Sequence, residues 1–315
     1  MSITSQTPAP VSGAGALTRS TVIFMTDDAA TAQVRGCSVA FAASTTGTPV
    51  TQVAVDQAAL TGFELDFSVG GVRRRRLLGS GWDVRFEEVE PVREFAWHRY
   101  ARGFAGWYYL AAVGDHVGYE SWLERDRLIL LDRDPQVVGV AAQPFWPSWD
   151  DGGRGRRHAP DYFVRLADGG ARVVDVRAED DMDEETREAF AATERACRAV
   201  GWEFSWAGRP EPVFMANVRW LARYRRARCG RPAEVAARLL EVFREPKGLW
   251  EGAGLAGDRL QVLPVLFHLL WSGALGTDLA GALMQTESVV WTERREADGR
   301  VETAAGVGGR GQDPA

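Results

Sequence analysis

The sequence is poor in cysteine, in lysine and in long apolar runs. Its three cysteines, Cys37, Cys197 and Cys229, lie far apart without a Cys-x-x-Cys pair, which argues against a disulfide framework and a zinc site and favours a reducing cytoplasm. No run of about 18 apolar residues occurs, and no basic segment followed by an apolar one opens the chain, so neither membrane insertion nor secretion is predicted. Lys247 is the only lysine, so arginine carries nearly all positive charge.

The 315 residues, 45% of them apolar, are enough for one large domain or two modest ones. A formal net charge of -6 argues against a protein that coats nucleic acid through bulk charge. Arginine is nevertheless concentrated locally. Four arginines occupy 73–76, three more lie within 154–157, and six fall within 219–231, where no acid occurs.

The first two arginine clusters are explained equally well as ordinary solvent-exposed surface and as binding sites. The third cluster falls on a segment that also carries Trp220, Leu221 and Tyr224, so one side of a helix can dock while its arginines face outward. Such a helix is typical of phosphate contact in DNA binding. The arginines predicted to make these contacts are Arg219, Arg223, Arg225 and Arg226.

Residues 158–177 predict a two-stranded hairpin. An apolar run at 163–166 and a valine-rich run at 173–176 flank Asp168-Gly169-Gly170, which has the composition of a hairpin turn. With a period of two, Asp175 and Arg177 project to one face, and Val174 and Val176 point to the other, towards a core.

The carboxylate of Asp161, which follows Pro160 at the start of the first strand, is predicted to converge with that of Asp175 across the hairpin. Burying charges is costly unless they are paired or bind a metal. A Pro-Asp pair followed by Asp-x-Arg resembles the PD-(D/E)xK nuclease signature, with Arg177 in the position where lysine is usual.

The elements around this hairpin predict an α/β domain. Residues 119–132 have an apolar stripe typical of an amphipathic helix, with Glu120 and Glu124 one turn apart. A strand over 137–145, the hairpin, a helix over 183–200 and a strand over 202–206 follow. The resulting order, αβββαβ, is that of the restriction-endonuclease-like core, in which an acid of the first helix reaches the metal site.

The segment after Gly208 is expected to be mostly helical. Helices are predicted over 212–228, 232–244 and 260–272, and a short hairpin over 288–293 and 301–304, which together suggest a winged-helix-like domain. The predicted divisions are a divergent or partly disordered N-terminal region (1–85), a nuclease domain (86–208), the winged-helix-like domain (209–305) and a flexible tail (306–315).

Over roughly residues 90–292 the chain resembles the TnsA-like endonuclease subunits of heteromeric transposases. The likeness rests on an ordered set of segments: Tyr119-Glu-Ser-Trp-Leu-Glu-Arg-Asp126, Asp134-Pro-Gln-Val-Val138, Ala142-Gln-Pro-Phe145, His158-Ala-Pro-Asp161 and Val174-Asp-Val-Arg177. The 263–279 segment also resembles the helical C-terminal part of such proteins. The resemblance implies Mg²⁺-dependent (or Mn²⁺-dependent) cleavage of double-stranded DNA at transposon ends, alongside a DDE-type recombinase subunit and an AAA+ ATPase regulator.

Position by position, the resemblance assigns catalysis to Glu124, Asp161, Asp175 and Arg177. Glu124, with Glu120 as its close competitor, corresponds to the helix acid, and Asp161 and Asp175 correspond to the acids that share the metal with it. The main-chain carbonyl of Val176 is a further expected ligand, and Gln143 is expected to help hold the site. Arginine in place of lysine can stabilise phosphate charge but cannot act as a base.

Three other interpretations remain open. Asp161 and Asp175 can be structural residues that pair with Arg177. The nuclease core can be a degenerate scaffold that binds DNA and partner proteins without cutting, which the replaced lysine and the acidic net charge favour. The chain can also be a winged-helix regulator with an accessory N-terminal part. The scattered histidines, His158 among them, are assigned no ligand role.

Overall fold

The computed structural model describes residues 60, 62–95 and 104–293, all within one compact unit, Thr51–Ala315. In chain order the strands are β1 (Phe63–Val69), β2 (Val72–Leu77), β3 (Gly106–Leu110), β4 (Asp115–Tyr119), β5 (Val137–Ala142), β6 (Trp146–Asp151), β7 (Arg154–Arg157), β8 (Tyr162–Leu166), β9 (Ala171–Val176), β10 (Glu203–Ala207), β11 (Lys247–Gly248), β12 (Leu275–Thr277) and β13 (Val289–Thr292). The helices are α1 (Leu78–Gly81), α2 (Trp122–Arg133), α3 (Glu184–Ala199), α4 (Pro212–Leu221), α5 (Ala233–Val242), α6 (Leu249–Ala256) and α7 (Arg259–Trp271).

The chain is therefore a mixed α/β protein whose central sheet has the strand order β10-β9-β8-β5. Strands β5, β8 and β9 are antiparallel neighbours, and β10 runs parallel to β9. The β8–β9 hairpin predicted from the sequence is confirmed, and Gly169 in its turn has a φ of 87°, a conformation that favours glycine. The predicted order of helix, strand, hairpin, helix and strand is also confirmed, with β6 and β7 inserted between β5 and β8.

Both faces of the central sheet are buried, because a helix covers each of them. On one face Leu128 and Leu131 of α2 join the core that contains Val174. On the other face Ala192 and Ala196 of α3 join the core that contains Val173. The predicted core on the Val174 face is confirmed, and the face that carries Val173 and Asp175 is covered as well. A period of two gives the alternation of faces but not whether one or both are covered.

A second sheet has the order β2-β1-β6-β7, with antiparallel neighbours throughout. Phe63, Leu65 and Phe67 of β1 are buried in the same core as Phe145 and Phe163. The predicted division at residue 85 thus runs through a continuous core, to which residues 63–85 contribute two strands. Strands β3 and β4 form a separate antiparallel hairpin.

The last third of the described chain is built from four helices and three short strands. Helices α4 to α7 and β13 share one core, which also includes Ile129 of α2. The strands form an antiparallel sheet with the order β11-β13-β12. The strand predicted at 288–293 is present, but its neighbours lie before it in the chain; the predicted partner at 301–304 lies outside the described residues. Helix α6, between the predicted helices, was missed.

Two buried acids of α2 join it to α4 and to the segment that follows α4. Asp126 accepts a bidentate hydrogen bond from Arg219, one arm of which measures 2.8 Å. Asp132 is 4% exposed and forms an ion pair of 3.3 Å with the Nε of Arg225. Helix α2 therefore contacts both the central sheet and the C-terminal helices.

In the described part of the chain, no helix is both long enough and apolar enough to cross a membrane. Residues 1–59 of the region predicted to be divergent or partly disordered (1–85), and the predicted tail at 306–315, fall outside the described residues.

Candidate functional site

Asp161 and Asp175 are neighbours at the open end of the β8–β9 hairpin. Tyr162 and Val174 are the last paired residues of this ladder, so positions 161 and 175 come next on the same face. Asp161 Oδ2 accepts a hydrogen bond of 2.7 Å from the Val176 amide. The structure thus brings together the two carboxylates that the sequence placed across this hairpin.

Asp175 is the more deeply buried acid, with 1% of its surface exposed. Its Oδ1 lies 2.9 Å from Nε2 of His158. Its Oδ2 is buried and has no hydrogen-bond partner among the described residues. A buried carboxylate oxygen without a partner is costly, so this atom is suited to bind a cation or a donor group.

Glu124 lies in the first turn of α2, where it forms a capping box with Ser121. The Ser121 hydroxyl accepts from the Glu124 amide at 3.1 Å, and Glu124 accepts from that hydroxyl and from the Glu120 amide, both at 2.8 Å. Both oxygens of Glu124 are therefore engaged with the N-terminus of the helix.

Glu120, the competing helix acid, has a different set of contacts. It forms a bidentate ion pair with Arg93, one arm of which measures 2.9 Å, and accepts a bond of 3.1 Å from the Gln143 side chain. Glu120 and Glu124 both line the same cavity as Asp161. The charge of Glu124 acts on Asp161 strongly enough to help raise its pKa, which favours Glu124 as the helix acid.

Gln143, just after β5, lies between these groups. Its φ of 46° makes it the one residue other than glycine with a positive φ in the described chain. Its main-chain amide donates to the main-chain carbonyl of Asp161 at 2.8 Å. Its side-chain Oε1 is buried without a hydrogen-bond partner. Strained conformations of this kind cluster at functional sites, because the surrounding structure must hold them.

Arg177 lies at the rim of the site rather than beside the two aspartates. The residue is exposed, and its Nη2 donates to the hydroxyl of Thr186 at 3.2 Å. It lines the same cavity as Glu124, Asp161 and Asp175. Its guanidinium is therefore positioned to meet a charged ligand that enters the cavity. Arg177 forms no ion pair with Asp161 or Asp175, although the structural interpretation requires one.

The acids repel one another. Burial raises the pKa of Asp161 well above its usual range, and the charges of Asp175 and Glu124 raise it further. Burial is also the main cause of the raised pKa of Glu124, to which the charge of Glu120 adds. Carboxylates arranged in this way are poised to hold a cation, whose charge would favour their ionised forms and oppose both causes of the shift.

A cavity of about 540 Å³ connects these residues to solvent. Its lining combines the acids with arginines, His158 and two tryptophans, Trp146 and Trp149. No group of three or more His, Cys, Asp or Glu in residues 60, 62–95 and 104–293 is already arranged to hold a metal ion. Asp161 and Asp175 supply the hard oxygen atoms that Mg²⁺ or Mn²⁺ prefers, and the unpartnered Asp175 Oδ2 fits such an ion.

His158 is the site residue that the sequence analysis missed. Its imidazole contacts Asp175, is 5.7 Å from the ring of Phe190 between centroids, and lines the cavity. The available signal was its position, three residues before Asp161. That spacing does not give the direction of the side chain, because residues 158–161 lie between strands.

The four arginines predicted to contact phosphate are divided between two roles. Arg219 and Arg225 are engaged by Asp126 and Asp132, and α4 ends at Leu221 rather than near 228. Arg223 and Arg226 are exposed and lie over the rings of Trp220 and Tyr109, at 4.9 and 5.2 Å from the ring centroids. Phosphate contact therefore remains a prediction for Arg223 and Arg226, whereas Arg219 and Arg225 make intramolecular contacts.

Two substitutions of Glu124 separate its hydrogen-bonding role in the capping box from the effect of its negative charge. Glu124→Ala should lower the free energy of unfolding by about 1 kcal/mol, since the Glu120 amide loses its acceptor. Glu124→Gln keeps an acceptor and removes a repulsive charge, so it should cost much less. Urea unfolding at pH 7 measures both variants; equal losses would contradict the capping role.

No protein-family model matches the chain, and a search of curated proteins found no match either.

Proposed function

We propose that the chain is a metal-dependent DNA endonuclease subunit of a heteromeric transposase, which cleaves DNA strands at transposon ends. The observation that carries the proposal is the convergence of Asp161, Asp175 and Glu124 on one open cavity, where the pKa values of Asp161 and Glu124 are both raised. Carboxylates that are buried close to one another are more typical of a metal-binding site than of a structural one.

The proposed fold is a restriction-endonuclease-like core followed by a winged-helix-like domain. The order α2-β5-β8-β9-α3-β10 supports the first part. The order α5-β11-α6-α7-β12-β13 supports the second part. The two strands that follow the helices, β12 and β13, form a small sheet with β11, which lies between α5 and α6 in the chain. The resemblance to TnsA-like subunits implies a single activity, cleavage of DNA at transposon ends, for a protein that contains both parts.

The residues of the site have different roles in the proposed reaction. Asp161 and Asp175 hold the metal ion, with the Val176 carbonyl as a further ligand and with Glu124 binding directly or through water. A bound Mg²⁺ supplies an activated water and neutralises charge on the phosphate. Gln143 and His158 fix the neighbouring acids in position. Arg177, which stays charged and cannot act as a base, stabilises the phosphate in the transition state.

The partners of the protein are those that the same resemblance implies. The DNA is double-stranded transposon-end DNA, and the protein partners are a DDE-type recombinase subunit and an AAA+ ATPase regulator. We place the complex in the cytoplasm, which the widely spaced cysteines favour. Specificity for end sequences then comes largely from the recombinase.

A second candidate is a catalytically degenerate subunit that serves as a DNA-binding and partner-docking scaffold. The position of Arg177 favours it, since this residue replaces lysine and is bonded to Thr186. The two oxygens of Glu124 are likewise engaged in a capping box. In this candidate the acids of the cavity bind no metal during transposition.

Metal-dependent nicking distinguishes the two candidates. Supercoiled plasmid that carries the transposon ends is incubated with the purified protein and its recombinase, and nicked product is followed on gels. We expect product with Mg²⁺ or Mn²⁺ and none with EDTA. Because a bound ion stabilises the folded state, Mg²⁺ should also raise the melting temperature at neutral pH. The absence of both effects would favour the scaffold.

A further inference from the structure

The sheet β2-β1-β6-β7 carries a set of arginines that no part of the proposed chemistry uses. Five of them have no carboxylate within ion-pair distance in the described chain: Arg73, Arg74, Arg76, Arg154 and Arg157. All five are exposed. We call this sheet the arginine sheet.

The acids of the arginine sheet, by contrast, are all engaged. Asp66 is bonded to Arg75 at 2.8 and 3.0 Å, and Glu64 lies 3.7 Å from the same arginine. Asp150 accepts from the Gly153 amide, and Asp151 lies 3.5 Å from Arg156. The charge that this sheet leaves available for a partner is therefore positive.

One solvent-facing side of the arginine sheet connects its first strand to its last. Arg75 and Trp146 both lie opposite Asp66 in the strand register, so these three side chains form a row. Arg73 is on the same side of β2, and Arg157 of β7 lies 4.6 Å from the centroid of the Trp146 ring. The pKa of Asp66 is lowered, first by its bond to Arg75 and also by the charges of Arg73 and Arg157.

The arginine sheet is also a wall of the candidate site. Trp146, Trp149 and Arg157 line the cavity together with Asp161 and Asp175. A polyanion that enters a cavity with this many carboxylates is repelled, and the net charge of -6 adds to the repulsion. Cations beside the cavity offset that repulsion, and Arg157 lies in the lining of the cavity.

We propose that the arginine sheet binds the phosphate backbone of duplex DNA and holds the duplex against the acidic cavity. Its first and last strands are separated by three strand spacings, about 14 Å. This distance is comparable with the roughly 12 Å width of the major groove, across which the phosphates of the two strands face each other. Contacts to phosphate carry no sequence information, so this surface positions DNA of any sequence.

The inference rests on the proposed nuclease function for its choice of ligand, but its test needs no cleavage. Binding of a fluorescein-labelled 30-bp duplex is followed by anisotropy, without divalent metal, over a series of salt concentrations. The test variant is Arg73→Gln/Arg157→Gln, which changes the two unpaired arginines on the side of the sheet that carries Trp146. The matched control is Arg85→Gln/Arg198→Gln, which removes the same charge from arginines paired with a glutamate three or four residues away.

We expect the test variant to raise Kd about tenfold or more and to reduce the slope of log K against log salt by about 2, since each phosphate contact releases counterions. The control should change both quantities much less. Arg73→Lys/Arg157→Lys should restore most of the binding, because a phosphate contact needs the charge. Circular dichroism confirms that each variant is folded.

Failure of this inference and failure of the nuclease function are distinguishable. Test and control variants that bind equally well would overturn the inference even if the wild-type protein nicks DNA. A wild-type protein that does not bind duplex DNA, as expected if the sheet instead docks an acidic protein, would also overturn it. Loss of binding confined to the test variant supports the inference even if no nicking is found.

Discussion

Asp161→Asn is expected to abolish DNA cleavage and, at the same time, to make the protein more stable. The carboxylate of Asp161 is held among Asp175 and Glu124, and burial together with these two charges raises its pKa well above the usual range. Asparagine keeps an acceptor for the Val176 amide, which Asp161 bonds at 2.7 Å. The substitution therefore removes repulsion without opening the hairpin, but it also removes a proposed metal ligand.

We expect nicking to fall by on the order of 10³-fold or more, because loss of an ion ligand removes both the activated water and charge neutralisation. Melting temperature in EDTA should rise by about 2–4 °C for each kcal/mol of repulsion relieved. The matched control is Asp168→Asn in the turn of the same hairpin. Asp168 accepts from the Gly170 amide at 2.8 Å, which asparagine can also do, and it is exposed.

The stability that Asp161→Asn gains over the parent should increase as pH rises. Below the ordinary aspartate pKa of 3.8, Asp161 is protonated in both folded and unfolded states, so the variant has no electrostatic advantage. As pH rises through this value towards the raised pKa of the folded state, only the unfolded chain ionises freely, and the parent loses stability. The advantage of the variant should thus be greatest above the folded pKa.

Two results would contradict this assignment. Cleavage that persists in Asp161→Asn would place the metal elsewhere. A variant that is less stable than the parent at neutral pH in EDTA would show that the negative charge of Asp161 stabilises the fold, as the structural interpretation of this residue requires. Asp168→Asn should leave both nicking and melting temperature close to those of the parent.

The parts of the fold that could be predicted are those whose signal is local. The Asp168-Gly169-Gly170 turn between two β-branched runs specifies the β8–β9 hairpin and its register, and that register brings Asp161 opposite Asp175. The helix over 184–199 likewise has its own cap, Asp183, which accepts from the Thr186 amide. Turn chemistry and helix capping depend on neighbours in sequence, so single-sequence reasoning can find them.

The parts that could not be predicted depend on contacts between distant segments. Strand β2 consists largely of Arg73–Arg76, and four successive charges hide the period of two that marks a strand. Its strand character comes from pairing with β1. The sequence analysis expected Gln143 to help hold the site but assigned His158 no ligand role. The positive φ of Gln143 and the direction of the His158 side chain are set by tertiary structure, so the sequence does not give them. The acids that engage Arg219 and Arg225 are each 93 residues away in sequence.

Helix α2 connects the candidate site to the C-terminal helices. Glu124 in its first turn faces the cavity. Leu128 and Leu131 pack in the core beneath the central sheet, whereas Ile129 packs in the core of the C-terminal helices. Asp126 and Asp132 add polar contacts on the C-terminal side. Loosening those contacts therefore acts on the helix that positions a proposed metal ligand.

Asp132→Ala is expected to be the most destabilising single substitution in this contact, with a loss of about 3–5 kcal/mol in the free energy of unfolding. Asp132 accepts from the Ala112 amide at 2.9 Å and from the Tyr108 hydroxyl at 3.1 Å, and it pairs with Arg225 at 3.3 Å. Alanine leaves these three groups without their partner in a buried place, which costs the desolvation of each. Urea unfolding followed by circular dichroism measures the loss.

Asp132→Asn is the matched control, because asparagine retains an acceptor for the Ala112 amide and a polar group beside Tyr108. Burial raises the pKa of Asp132 even though the bonds from Ala112 and Tyr108 and the charge of Arg225 favour its ionised form. The negative charge itself is therefore not strongly favoured, and its removal should cost only about 1 kcal/mol. If Asp132→Asn were as damaging as Asp132→Ala, the ion pair with Arg225 rather than the hydrogen bonds would be the dominant contribution. If both were harmless, the Asp126–Arg219 bond and the apolar contacts of Ile129 would be sufficient to hold α2 against the C-terminal helices.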